Sequence, residues 1–326
     1  MATIITPSVR LASLPPAVGQ AGLRGAIVSE FTKLRSVRST YWTLGALFIV
    51  SVGLAVAITA GTAASLVNNP GNKAGFDATQ TSLGAFFELG QLIIAVIGAM
   101  VITSEYSTGM IRTSLTAQPR RGVVYAAKAI TFGTVALVIS VVTAFVAFLA
   151  GQAMYASSGV GASLFHAVKI PANGNVSCLH GVPAGPGAPP GAIRCPTGER
   201  VMTVTAWDVI HPSTVLAAII GTALFVTLVA LISFGVGSVI RHTAGTIATV
   251  IALMFIIPLL ENTLPSSWHN DIMRFLPDAA NQVVSVTIAG NDPGHLWSAW
   301  PQLGVTALWA AALVAVGAYL FRNRDA

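Results

Sequence analysis

The stretch Thr103–Lys128, TSEYSTGMIRTSLTAQPRRGVVYAAK, lies between two long apolar runs, Ser82–Ile102 and Val123–Tyr155. It gathers Glu105, Arg112, Arg120, Arg121 and Lys128 in a chain with only 9% charged residues. A charge at mid-bilayer costs about 2.5–3.5 kcal/mol on the insertion scale, so this segment belongs in water or at the interface. Its excess of Arg and Lys assigns it to the cytoplasmic side. Tyr106, Met110, Ile111, Thr113 and Leu115 are spaced for an amphipathic turn or two before Pro119. Two membrane helices joined inside the cell by a short basic amphipathic helix are therefore expected. Such a helix lies on a membrane surface or docks into a groove on a cytoplasmic partner.

Composition agrees with this setting. An apolar fraction of 54% and a mean hydropathy of +0.76 exclude an ordinary soluble domain, where about a quarter of residues are charged. The class is an all-α polytopic membrane protein. The formal charge of +6 does not point to nucleic acid, because the basic residues flank apolar spans and no basic face is interleaved with aromatics.

Working outward, residues 1–25 have no continuous apolar core and carry Pro7, Pro15 and Pro16. They read as a disordered cytoplasmic tail rather than a signal peptide. The rest, 26–326, reads as one transmembrane domain. Ala26–Arg38, AIVSEFTKLRSVR, puts Ile27, Phe31 and Leu34 on one helical face, with Glu30, Lys33, Arg35 and Arg38 pointing elsewhere. That is an interfacial helix leading into a span. Tyr41 and Trp42 mark the headgroup level.

Six spans are expected, over about 41–63, 82–103, 123–155, 213–240, 246–260 and 297–321. Arg241–Gly245, RHTAG, is a tight basic turn, and Asn262–Leu296 holds short amphipathic pieces able to dip into the outer leaflet. With six spans, Lys33, Arg35, Arg38, Arg112, Arg120, Arg121, Lys128, Arg241, Arg322 and Arg324 share one side. Only Lys73, Lys169, Arg194, Arg200 and Arg274 fall on the other, so both termini are expected in the cytoplasm.

The loop over 156–212 then faces outward. Its GVPAGPGAPPG core (Gly181–Gly191) suits neither helix nor central strand. Cys178 and Cys195 would meet an oxidising setting there. A disulfide between them is expected, closing about 18 residues for roughly 3 kcal/mol.

Catalytic signatures are absent from the sequence. It has no G-x-x-x-x-G-K-[ST] phosphate loop, no H-E-x-x-H pair and no G-x-S-x-G elbow. The six histidines are scattered singly, so no metal site and no cofactor is expected. Glu88 is the one acidic residue within a span, with Gln91 one turn further in. An intramembrane carboxylate is a pathway candidate, although Glu88 lies near enough to the outer surface to snorkel or pair. Gly235, Gly237 and Pro258 suit gating hinges, yet small residues in membrane helices more often mark close packing. The path expected is mostly apolar with Gln91, Gln152, Ser and Thr as polar points, which slightly favours amphipathic cargo.

Taken together, Glu105, Gly109, Leu115, Pro119, Arg120 or Arg121, and Lys128 resemble the pattern that follows the second span of ABC type-2 permeases. These are the membrane subunits of ATP-binding-cassette exporters. The six spans, the entry helix SEFTKLRSVRSTYW and the closing FRNRDA, similar to the basic ends of actinobacterial members, extend the resemblance over roughly 28–326. The resemblance implies a non-enzymatic permease in the bacterial plasma membrane. It would pair with a second permease chain and with a separate ATPase subunit. Ser104–Thr116 would be the coupling helix docking on that ATPase, through Glu105, Tyr106, Gly109, Met110, Arg112 and Leu115. The entry helix, with Glu30, Lys33 and Arg35, would also touch it. The segment 262–296 would form outer re-entrant helices.

Two departures stand out. Met110–Ile111–Arg112 follows Gly109 where many members have Thr–Leu–Glu, and the loop 156–212 is long and carries the cysteine pair. Two other classes compete with the permease reading. A membrane scaffold or sensor would use the outer loop to bind a ligand. An ion-coupled carrier would require buried paired charges and matched interrupted helices, which the spans do not display.

Overall fold

The computed structural model describes residues 22–69, 78–117, 120–156, 182–183, 193–194, 212–257, 275–277 and 299–323. Nearly all of these are helical. α1 (Leu23–Ser36) leads to α2 (Arg38–Asn68), α3 (Ala78–Ser107), the short α4 (Met110–Ala117) and α5 (Arg121–Tyr155). Two paired two-residue strands, β1 (Val182–Pro183) and β2 (Ile193–Arg194), follow. Then come α6 (Pro212–Ile240), α7 (Thr243–Ile251), a π-helical turn over Ala252–Ile256, and α8 (Ala299–Asn323).

Five helices are long and apolar enough to cross a bilayer: Thr40–Asn68, Ala78–Ser107, Arg121–Tyr155, Ala218–Ile240 and Trp300–Asn323. The expected fifth span, 246–260, is represented by the apolar helix Thr243–Ile256. Its length of about 21 Å falls short of a hydrocarbon core of about 30 Å, and residues 258–260 lie outside the described set. The tail 1–21 and most of 157–211 lie outside it too. Of the expected re-entrant segment, Phe275–Pro277 is described, as a turn beside α8. Trp309 Nε1 donates to Phe275 O at 2.7 Å, and Gln302 Nε2 to Leu276 O at 3.1 Å.

α6 is the central helix, with α3, α5 and α8 packed on it and α2 against α3 and α5. Small residues make the close approaches, as expected where apolar burial gives no advantage over lipid. A Cβ on Gly98 of α3 would stand 2.6 Å from Ala230 O of α6, and one on Gly237 would stand 2.8 Å from Ile102 Cγ2. A Cβ on Gly235 would meet the backbone of Leu313 in α8 at 2.8 Å. Gly235 and Gly237 are thus packing points. Four buried hydroxyls bond within their own helices: Thr59, Thr103, Thr222 and Thr227 each donate to the carbonyl four residues earlier.

Gly317 of α8 is the tightest of these contacts. A Cβ there would collide with Ser238 Oγ and Tyr125 Oη. Tyr125 is itself fixed between the rings of Phe234 and Phe321, at 5.3 and 5.4 Å. Gly317→Val is expected to cost at least the 1–3 kcal/mol typical of overpacking. It should lower the thermal unfolding midpoint in detergent, and an unchanged midpoint would contradict this packing.

Candidate functional site

Four charged side chains meet where α3 ends and α5 begins. Glu30 and Lys33 are three residues apart on α1 and so share a face. Glu105 lies in the last turn of α3, and Lys128 two turns into α5. Lys128 Nζ donates to Glu30 Oε2 at 2.7 Å and to Glu105 Oε1 at 2.8 Å. Lys33 Nζ pairs with the same Glu105 oxygen. Glu30, Glu105 and Lys128 are 8%, 4% and 4% exposed. The cluster holds two positive and two negative charges, so its burial leaves no net charge. Glu105 Oε2 has no hydrogen-bond partner among the described residues. Pairs this buried add modest net stability, but removing one partner strands a charge away from water.

The cluster decides which side of α1 the bundle covers. The side that carries Ala26 and Glu30 is buried, with α1 packed against α5. Val28 and Phe31 point outward, 58% and 52% exposed. Local periodicity identified both faces but not which one the protein would cover. The partners that decide it, Glu105 and Lys128, lie more than seventy residues away.

The same end of the bundle holds further ties. The Arg241 guanidinium sits over the Tyr106 ring, 4.9 Å from its centroid. Thr103 and Thr243 share a hydrogen bond of 2.7 Å. The Arg322 side chain passes 3.6 Å from where a Cβ on Gly122 would stand. The tight turn is present: Arg241 adopts φ 62°, and the helix resumes at Thr243, capped by His242 Nδ1 accepting from Gly245 N. The ends of α1, α3, α5, α6 and α8 are therefore assembled around Glu105 and Lys128.

The expected helix 104–116 is divided in two. α3 runs on through Ser107, and Gly109 then takes φ 70°, a left-handed conformation that side chains disfavour. Thr108 N bonds Ser104 O and Gly109 N bonds Tyr106 O, closing α3 before α4 begins. Glu105 and Tyr106 thus belong to α3, one buried and the other half-buried. In α4, Ile111 is buried and Leu115 packs partly against the core. Met110, Arg112, Thr113 and Thr116 are exposed. The short helix is anchored by its apolar side and presents the other.

The remaining candidates lie elsewhere. Glu88 is exposed on α3 and Gln91 is buried one turn on. Gln152 joins α5 to the start of α3 by donating to Ser82 Oγ at 3.2 Å. Arg35 is exposed near the end of α1. Cys178 and Cys195 lie outside the described residues. Among the described residues no His, Cys, Asp and Glu group together as metal ligands would.

Residues 26–179 match the family described as ABC-2 family transporter protein. The matched part runs from Ala26 in α1 through α5, hence over the whole charged cluster and α4. Over these residues the chain is similar to that family, and its apolar helices are those of a multi-pass membrane protein. No curated protein matches the chain.

Proposed function

We propose that this chain is the membrane-spanning permease subunit of an ATP-binding-cassette exporter, coupled to a separate ATPase subunit through residues 103–121. The observation that carries this reading is α4. It is a short helix anchored on one side, exposed on the other, and rooted through Gly109 in a buried charge cluster that joins three helices. An exposed loop without such a root would bend when pushed. A helix fixed to α3 and α5 passes displacement into the spans.

In this mechanism ATP binding closes the partner subunits and moves α4. The spans respond only by as much as the partner binds one permease state better than the other. The docking face consists of Met110, Arg112, Thr113 and Thr116. Glu105 and Lys128 act beneath it, as positioning residues. Six crossings with both termini cytoplasmic fit this scheme, because α6 and α8 both end at the Glu105 end and the chain between them must cross once. The pathway role of Glu88 and Gln91, the second permease chain and the Cys178–Cys195 disulfide belong to the same proposal.

A photo-crosslinking residue at Met110 or Arg112 tests the docking face. It should trap a nucleotide-binding chain in membranes, whereas the same group at Leu308, exposed on α8, should not. Absence of any adduct at Met110 and Arg112, or equal trapping at Leu308, would overturn the docking assignment.

A further inference from the structure

We infer that the outward stripe of α1 is a binding surface for anionic phospholipid headgroups in the leaflet at the Glu105 end. Arg24, Val28, Phe31 and Arg35 follow one another at helical spacing on a single face, and all four are exposed. Arginines stand at both ends, with the apolar pair between them. Val37 then takes an extended conformation (φ −86°, ψ 113°), separating α1 from α2. Arg38 opens α2, also exposed, and Tyr41 and Trp42 follow, 58% and 81% exposed.

Charge and depth select the occupant. Glu30 is the one acidic residue between Gly22 and Trp42, and it is turned inward onto Lys128. Arg24, Arg35 and Arg38 therefore give the outward side three positive charges and no negative one. None of the three forms an ion pair among the described residues. An apolar centre flanked by arginines, continuous with a Tyr–Trp pair at the base of a span, matches the boundary between acyl chains and headgroups. Val28 and Phe31 enter the acyl edge while the arginines reach phosphate. Arg24 and Arg35 are about 16 Å apart along the helix, so they engage separate headgroups.

The surface has a consequence that rests on the proposed coupling. α1 is fixed to α3 and α5 by Lys33 and Glu30. Lipid charge acting on α1 therefore bears on the root of α4, making coupling sensitive to the anionic fraction of the membrane.

The test uses the purified chain in nanodiscs of phosphatidylcholine with or without phosphatidylglycerol, followed by thermal unfolding and by mass spectrometry of retained lipid. Phosphatidylglycerol should be retained over phosphatidylcholine by about fivefold at each arginine, and should raise the unfolding midpoint. The variant R24Q/R35Q/R38Q should lose both effects, while keeping the wild-type midpoint in pure phosphatidylcholine. R24K/R35K/R38K and Arg112→Gln should retain both. Equal behaviour in the two lipids, or a preference that survives the Gln variant, would overturn the inference. So would loss of the nucleotide-binding adduct in the Gln variant without any lipid preference in the wild type, which would make the stripe a protein contact. None of these lipid readouts requires an ATPase, so failure here is distinct from failure of the coupling reading.

Discussion

Replacing Lys128 with methionine is expected to destabilise the bundle by about 3–5 kcal/mol, the cost of leaving a buried ion without its partner. The side chain contacts two carboxylates, and the loss falls unevenly on them. Glu105 keeps Lys33, whereas among the described residues Glu30 pairs with Lys128 alone. The double variant Lys128→Met, Glu30→Gln should therefore recover most of the stability, because a neutral amide at position 30 no longer strands a charge. Adding Glu105→Gln should do less, since that change deprives Lys33 of its carboxylate. Unfolding in detergent, followed by denaturant titration, reads these differences. A Lys128→Met cost below about 1 kcal/mol, typical of exposed pairs, would show that the cluster is solvated.

The second large effect concerns coupling rather than stability. Gly109→Pro is expected to abolish nucleotide-stimulated transport in a reconstituted permease–ATPase complex while the spans remain folded. Proline fixes φ near −65°, and position 109 needs φ 70°. The turn between α3 and α4 cannot form, so α4 leaves its seat on Ile111 and Leu115. Gly109→Asn separates conformation from side chain. Asparagine tolerates the left-handed region, and nothing lies within 4 Å of a Cβ at this position. It should retain at least half of wild-type transport. Transport preserved in Gly109→Pro would remove α4 from the mechanism. Transport lost equally in both variants would locate the requirement in the glycine itself, not in the turn.

Much of the architecture could be read from the sequence because the bilayer imposes it. A span must be long and apolar, and the helices α2, α3, α5, α6 and α8 are each recognisable from that demand alone. Residues 103–128 were also legible as a basic element between spans, since their charges cannot lie in hydrocarbon. Three features were less accessible, each for a physical reason. The break at Gly109 depends on a backbone angle, and a glycine inside an amphipathic pattern does not state which angle it takes. The buried face of α1 is chosen by ion pairs to α3 and α5, so helical periodicity showed two faces without ranking them. The family resemblance implied a docking role for Glu105, which the sequence places in a basic stretch. Glu105 is buried because a lysine from α5 and another from α1 converge on one of its oxygens. The packing roles of Gly235, Gly237 and Gly317 likewise depend on which helices are neighbours.

Two positions of the Met110–Ile111–Arg112 departure fall on the face that α4 exposes. Met110 and Arg112 replace a small polar residue and an acid, and both point away from the bundle, whereas Ile111 between them is buried. The cleft on the partner should accordingly offer an apolar pocket and a negative charge. Arg112→Glu is expected to weaken docking by at least tenfold without altering the unfolding midpoint of the isolated permease, since the side chain is exposed. Binding of the purified ATPase to nanodisc-held permease measures this, and unchanged affinity would exclude Arg112 from the contact.

Affinity purification of the tagged chain in mild detergent, with stoichiometry and ATP hydrolysis of the eluate measured, tests the central claim most directly. A phosphate-loop ATPase should co-purify at one copy per permease chain, hydrolyse ATP, and be lost when Met110→Asp and Arg112→Glu are combined. A folded permease recovered alone from native membranes, with no hydrolysis after reconstitution, would contradict the coupling account.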